Sequence, residues 1–349
     1  MIQGESRLRN RVGSTATSDT GFATAGCGVH RDGGSSAAPR PIPTRMSNDI
    51  LDSLERRLGR FHARQRIGIE DDHEARVSGE NWYDSPTMIG NALKLTGLYW
   101  RAKKNAESIQ VRHNDITLPR LPSLFDGFTI LQISDLHVDM NEGAMQRLIE
   151  LLPSLTYDLC VLTGDYRGKG FGPFDATLEG LARVCKGIRA PIFGVLGNYD
   201  TIRMVPGLEE MGIRMLLNEA DALVRGGQHI HLVGVDDAHY YRADNLEKAA
   251  SQLSGDEFSI LLSHTPEIYL QAAHADFDLM LSGHTHGGQI CLPGAIPITL
   301  DAKIARRMGS GLWKYRDMVG YTSVGVGSSI VPARINCLPE VALHGLRRL

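Results

Sequence analysis

Five short polar motifs punctuate this chain, and each ends an apolar run: Asp135-Leu136-His137, Gly164-Asp165, Gly197-Asn198-Tyr199-Asp200, Ser263-His264 and Gly283-His284-Thr285-His286. The runs before them are Phe128 to Ile133, Leu159 to Thr163, Ile192 to Leu196, Ser259 to Leu262 and Phe277 to Leu281. They are short and bounded by turns, which reads as strands buried on both faces. Ile230 to Val235 reads as a further strand. Helical patterns lie between the strands, from about Gly143 to Leu152, from about Ala176 to Ile188 and near Leu208. The expected class is α/β, a layered β-sandwich flanked by helices.

In open α/β sheets, ligands bind just past the C-terminal ends of strands, which is where these motifs fall. Asp135 and His137 are two apart, so in extended backbone they point to one side, and His284 and His286 share that spacing after Gly283. Asp165 stands alone at its strand end, where one carboxylate can bridge two cations. Mixed oxygen and imidazole donors suit manganese, iron or zinc better than calcium or magnesium. A pair of such ions can clamp a phosphoryl group and lower the pKa of bound water. Any one motif alone is weak; the five in order carry the reading.

At this point the chain resembles the calcineurin-like metallophosphoesterase superfamily, whose pattern is DxH, GD, GNH[DE], a lone His and GHxH. The resemblance spans about Phe128 to Leu349. With Gly311-Leu312-Trp313, Pro332-Ala333-Arg334 and Pro339-Glu340, it is similar to the YaeI/YkuE-type phosphodiesterase branch. The resemblance implies a first metal on Asp135, His137, Asp165 and His286. It implies a second on Asp165, Asn198, His264 and His284, with Asp165 shared. It also implies in-line attack by a metal-bound hydroxide, with Asn198, Tyr199 and Asp200 as the catalytic group. One position departs from the pattern: Tyr199 stands where the family has the histidine that protonates the leaving oxygen. A phenol, with a pKa of about 10, is the weaker acid, so Tyr199 either donates a proton poorly or only packs and hydrogen-bonds phosphate. That favours a leaving group needing little protonation. UDP-2,3-diacylglucosamine pyrophosphohydrolases of the same superfamily are similar here, since they often carry arginine at this position.

The rest of the chain is read from composition and periodicity. Residues 1–45 are rich in Gly, Ser, Thr, Ala and Arg and are expected to be a disordered extension, with Met46 a candidate start and a transit peptide the alternative. Residues 46–105 are expected to be a helical region and 106–349 the phosphoesterase domain. A helix from Ser47 carries Ile50, Leu51, Leu54, Leu58 and Phe61, and the polar stretch Glu70 to Glu74 is expected to break it. A second helix starts at Ser85-Pro86 and runs through Trp100 into Arg101, Lys103 and Lys104. It either docks on its own domain or lies at a bilayer surface.

Five scattered cysteines without CxxC spacing, no secretory apolar core and no long apolar run make the expected place cytoplasmic, with peripheral membrane contact. A net charge of -3 gives no global basic field, so no nucleic-acid partner is expected. The expected substrate is a phosphodiester or nucleotide diphosphate, lipid-linked in the sharpest form of the reading. The alternatives are a phosphoprotein phosphatase or a catalytically weak metal-binding scaffold. The loop His239 to Arg242 is a candidate substrate contact, and Arg334 is expected either to touch phosphate or to pair with Glu340.

Overall fold

The apolar runs become two stacked sheets. The computed structural model describes residues 23–24, 48–77, 84–251, 253 and 257–349. Disorder over residues 1–45 therefore falls outside the described residues, apart from β1 (Ala23–Thr24), an edge strand. The other strands are β2 (Gln110–Leu118), β3 (Thr129–Ile133), β4 (Leu159–Leu162), β5 (Ile192–Gly194), β6 (Ile213–Met215), β7 (Glu219–Arg225), β8 (Gln228–Gly234), β9 (Ser259–Leu262), β10 (Leu279–Ser282), β11 (Cys291–Leu292), β12 (Ile296–Pro297), β13 (Gly311–Tyr315), β14 (Met318–Thr322) and β15 (Glu340–Arg348). One of the two large sheets has the order β2-β15-β3-β4-β5-β6 and the other β1-β7-β8-β9-β10-β14-β13, while β11 and β12 form a separate two-stranded ribbon. β3 to β6 are parallel, as are β8, β9, β10 and β14.

Alternation across the pleat then assigns faces. Ile130, Val161 and Val195 of the first sheet meet Leu232, Ile260, Leu262 and Leu279 of the second in the interior. The opposite face of the first sheet, with Leu131, Cys160 and Leu162, is covered by helices. Val233, Leu261 and Met280 face a separate helical layer on the far side. Burial on both faces explains why these strands read as unbroken apolar runs, since all four residues of Leu159–Leu162 are buried.

Two helices break earlier than their apolar spacing suggests. The first is split into α1 (Asn48–Leu58) and α2 (Arg60–Val77) at Gly59, which has a φ of 84°. Leu54 and Leu58 are buried against the first sheet, while Phe61 is 81% exposed. The stretch Glu70 to Glu74, expected as a breaker, stays helical. Glu70 pairs with Arg66 at 2.8 Å and with Arg203 at 2.6 Å.

The second helix is α3 (Asp84–Leu95) followed by α4 (Tyr99–Ala106). Gly97, at a φ of 72°, closes α3, with the Leu98 N–H bonding the Leu93 carbonyl at 2.9 Å and the Gly97 N–H bonding that of Lys94 at 3.1 Å. These are the two bonds of a Schellman end. The pair docks on the domain: Leu93 and Ala102 pack on Val331, Ala333 and Ile335, and the Arg334 N–H bonds the Ala102 carbonyl. Met88, Leu95 and Trp100 remain largely exposed. Among the described residues, no helix is long and apolar enough to cross a membrane.

Candidate metal centre

The loops after β3, β4, β5, β9 and β10 converge, and with them the seven expected ligands. Asp135, His137 and His286 form one buried triad, and Asp165, His264 and His284 form another, each with donor atoms within 4.8 Å of one another. Asp165 lies between the triads: its Oδ2 is 3.3 Å from His264 Nε2 and 3.8 Å from His137 Nε2. Asn198 Oδ1 is 2.9 Å from His264 Nε2, on the side of the second triad.

The local backbone is bent to present these atoms. Asp135, His137, Asp165, His284 and His286 all have φ between 41° and 70°. Side-chain-bearing residues seldom adopt that region, and such strain clusters at functional sites. The glycines of the motifs are there for close approach. A Cβ on Gly283 would stand 1.9 Å from Ser134 Oγ and 2.3 Å from Asp135 Oδ2, and one on Gly197 would meet Asp165 Oδ1 at 2.3 Å.

The residues fit a pair of divalent cations. His137 Nδ1 donates to the Arg167 carbonyl and His264 Nδ1 to the Thr163 carbonyl, both at 2.7 Å. In the neutral rings each Nε2 is then the bare donor atom, aimed into the site. His137 Nε2 and His286 Nε2 lie 3.2 Å apart, and His284 Nε2 is buried with no hydrogen-bond partner. A cation supplies what these converging lone pairs lack. Charge is arranged accordingly. Burial works to raise Asp165, but His264 and His137 outweigh it and hold that carboxyl far below the usual range. Burial disfavours a charged His264, yet Asp165 and Asp135 push it up to about 10. Burial, with His264 and His239 nearby, pushes His284 down to about 3. A cation held by His264 would have to displace its proton, which would couple loading to proton release.

The remaining motif residues are placed as follows. Tyr199 lines the cavity over the two triads, its ring edge-on to His137 and its hydroxyl accepting from Ser329 Oγ at 3.2 Å. Burial pushes its phenol above the ordinary value. Asp200 is fully buried and accepts the N–H groups of Gly197, Asp165 and Tyr166 at 2.8–2.9 Å, tying the two loops together. Arg334 neither pairs with Glu340 nor opens onto the cavity. It is wholly buried, donates to the carbonyls of Gly327 and Val324, and lies 3.2 Å behind His286 Nδ1. From the loop after β8, His239 packs on His284 with ring centroids 4.2 Å apart, and Glu267 holds its Nδ1 at 2.7 Å. Tyr241 is drawn under Arg66 instead.

Sequence reasoning missed three contributors. Arg66 of α2, wholly buried, donates to Asp236 at 3.3 Å and to the Asp200 carbonyl at 3.3 Å, so the N-terminal helices brace the metal loops. Asp236 and Asp237 follow β8 as the ligand motifs follow their strands, a signal that was present but lacked a histidine. The third is the cavity, about 790 Å³, which opens from Asp165, Asn198, His284 and His286 and is walled by Ile89, Leu93 and Leu98. Its walls come from three distant stretches of chain and have no local signature.

This fold with two metal triads at its strand ends defines a metal-dependent phosphoester hydrolase. The Calcineurin-like phosphoesterase family model matches residues 128–288. The metallophosphoesterase YkuE of Bacillus subtilis is 29% identical over 274 residues, covering 74% of this chain and 93% of that protein. The protein YpbG of the same bacterium is 31% identical, covering 61% and 78%. Phosphodiesterase YaeI of Escherichia coli is 29% identical, covering 62% and 81%. The chain belongs to the calcineurin-like metallophosphoesterase family.

Proposed function

We propose that this hydrolase cleaves a phosphodiester or pyrophosphate bond in an amphiphilic, lipid-linked substrate, of which UDP-2,3-diacylglucosamine is an example. The observation that carries the reading is the cavity. Its metal end is polar, while Leu93, Leu98, Ile290, Ile298 and Ile335 make much of the remaining wall apolar, with Arg101, Asp301 and Asn336 among its polar members. A phosphate group seated at the triads leaves an attached acyl chain nowhere drier to go. The relative named as a phosphodiesterase supports the bond type.

Bound at the two triads, a pair of divalent ions supplies Lewis acidity and an activated water. The chain does the rest. Asp135, His137 and His286 would hold one ion, and Asn198, His264 and His284 the other, with Asp165 available to both. Asp200 positions the loop that carries Asn198. Tyr199, a poor proton donor whose phenol burial pushes further up, gives the leaving oxygen little help, so leaving groups that need little protonation, such as a nucleotide, are favoured. The exposed Met88, Leu95 and Trp100 next to Arg101, Lys103 and Lys104 suit contact with an anionic bilayer, where such a substrate resides.

The test is a substrate panel with one nucleotide leaving group and acyl chains of increasing length. A buried methylene is worth about 0.8 kcal/mol, so kcat/KM rises at least about tenfold from the chainless compound to the longest. Leu93→Trp, which fills the cavity, removes that gain and leaves the chainless substrate unaffected. Tyr199→Phe keeps activity on the nucleotide substrates. Equal rates at all chain lengths, or alkyl monoesters as the best substrates, contradict the proposal. Fast turnover of phosphopeptides would support the phosphatase reading instead, and bound metal without turnover the scaffold.

A further inference from the structure

A second cluster of metal-binding side chains lies away from the centre described above. His229 and His231 are two apart on β8, so both project from one face of the strand. Ile230 and Leu232 between and beyond them point into the interior, which puts the histidines on the outer face of that sheet. β8 pairs in parallel with β9, with His231 opposite Ser259, and that register sets Glu257 beside His229. His229 Nε2 is 3.0 Å from Glu257 Oε1 and His231 Nε2 is 3.4 Å from Glu257 Oε2. The two rings stand edge to face with centroids 5.0 Å apart.

We propose that His229, His231 and Glu257 form a third divalent-metal site of the zinc class, independent of the catalytic pair. The three donor atoms lie within 4.8 Å of one another. Ligands about 2.0–2.2 Å from a tetrahedral zinc stand about 3.4 Å apart, close to the two imidazole–carboxylate separations here. Two nitrogens and one carboxylate oxygen form a borderline donor set, which selects zinc over magnesium or calcium. His231 Nε2 is buried and has no hydrogen-bond partner, so it has an unused lone pair or proton facing the carboxylate. His229 is part-exposed, which leaves the fourth position to water. Arg120 donates to the Glu257 carbonyl oxygen at 3.5 Å and pairs through Nε and Nη2 with Asp278 at 2.7 Å.

The site lies toward the start of β8, five residues before Asp236, or about 16 Å along the strand. Its metal therefore touches no ligand of the catalytic pair. What it does is tie β8 to the entry of β9, the two strands that deliver Asp236 and His264 to the catalytic end.

The probe is zinc itself. Wild-type protein and His229→Ala/His231→Ala, equilibrated at the same buffered free zinc, are compared for zinc per chain and for thermal midpoint. The wild type carries one more zinc than the variant, and zinc raises its midpoint further, while hydrolysis by the two is equal. Glu257→Gln, a milder change, shows the same loss of one zinc. Equal zinc content in all three proteins overturns the proposal.

Discussion

Asp165→Asn abolishes hydrolysis, lowering kcat/KM by about 10³-fold or more. Asp165 is the one carboxylate between both triads, 3.3 Å from His264 and 3.8 Å from His137. An amide of the same shape keeps the hydrogen bond from the Tyr199 N–H, 2.9 Å long, so the loop stays in place. What it loses is the negative charge shared by two cations. Several kcal/mol of transition-state stabilisation depend on those cations, and 1.36 kcal/mol is a factor of ten in rate. Metal content falls with activity, from two equivalents to one or none, while circular dichroism is unchanged. A variant that keeps both metals and a tenth of the activity would show that Asp165 is not the shared ligand.

Arg66→Ala lowers stability by about 3–5 kcal/mol, the cost of leaving buried charge without its partner. The guanidinium is wholly buried, 2.8 Å from Glu70 and 3.3 Å from Asp236, with Tyr241 beneath it at 3.5 Å. Truncation takes from Glu70 and Asp236 their shared buried cation, leaving Arg203 to the one and His62 to the other, and opens a void between α2 and the metal loops. Burial works to raise Asp236, but Arg66 and His62 hold it below the ordinary carboxylate range. The carboxylate is thus stabilised in the folded state. Its contribution is present above about pH 4 and is lost as pH falls through the folded value. Urea unfolding near pH 7 reads the loss as a lower midpoint at unchanged slope. Adding Asp236→Asn to the variant recovers part of it. A loss under about 1 kcal/mol would mean that the N-terminal helices are not braced through Arg66.

The strands and the polar motif residues that converge at their ends were legible for the same reason. A strand buried on both faces must be apolar throughout, as Leu159–Leu162 is, and the polar residue that follows it has to be explained by something it binds. The helix ends were less legible, because apolar spacing continued across the break. Leu58 and Phe61 keep a helical interval, yet Gly59 turns the chain and leaves Phe61 in solvent. Gly97 does the same before Leu98. In both cases a glycine at the end of a periodic run was the better signal than the periodicity. Arg334 was misread because its charge suggested a partner of opposite sign, whereas its Nε and Nη2 donate to backbone carbonyls of a tight loop. The cavity walls and the His229 cluster were beyond the sequence, since each depends on which distant segments lie side by side. Glu257 becomes a neighbour of His229 only through the register of β8 on β9.

Whether two ions sit at the two triads is read from anomalous diffraction by manganese-loaded crystals. Two peaks are expected: one among Asp135, His137, Asp165 and His286, the other among Asp165, Asn198, His264 and His284. A single peak, or peaks that leave Asp165 outside both coordination shells, would contradict that expectation.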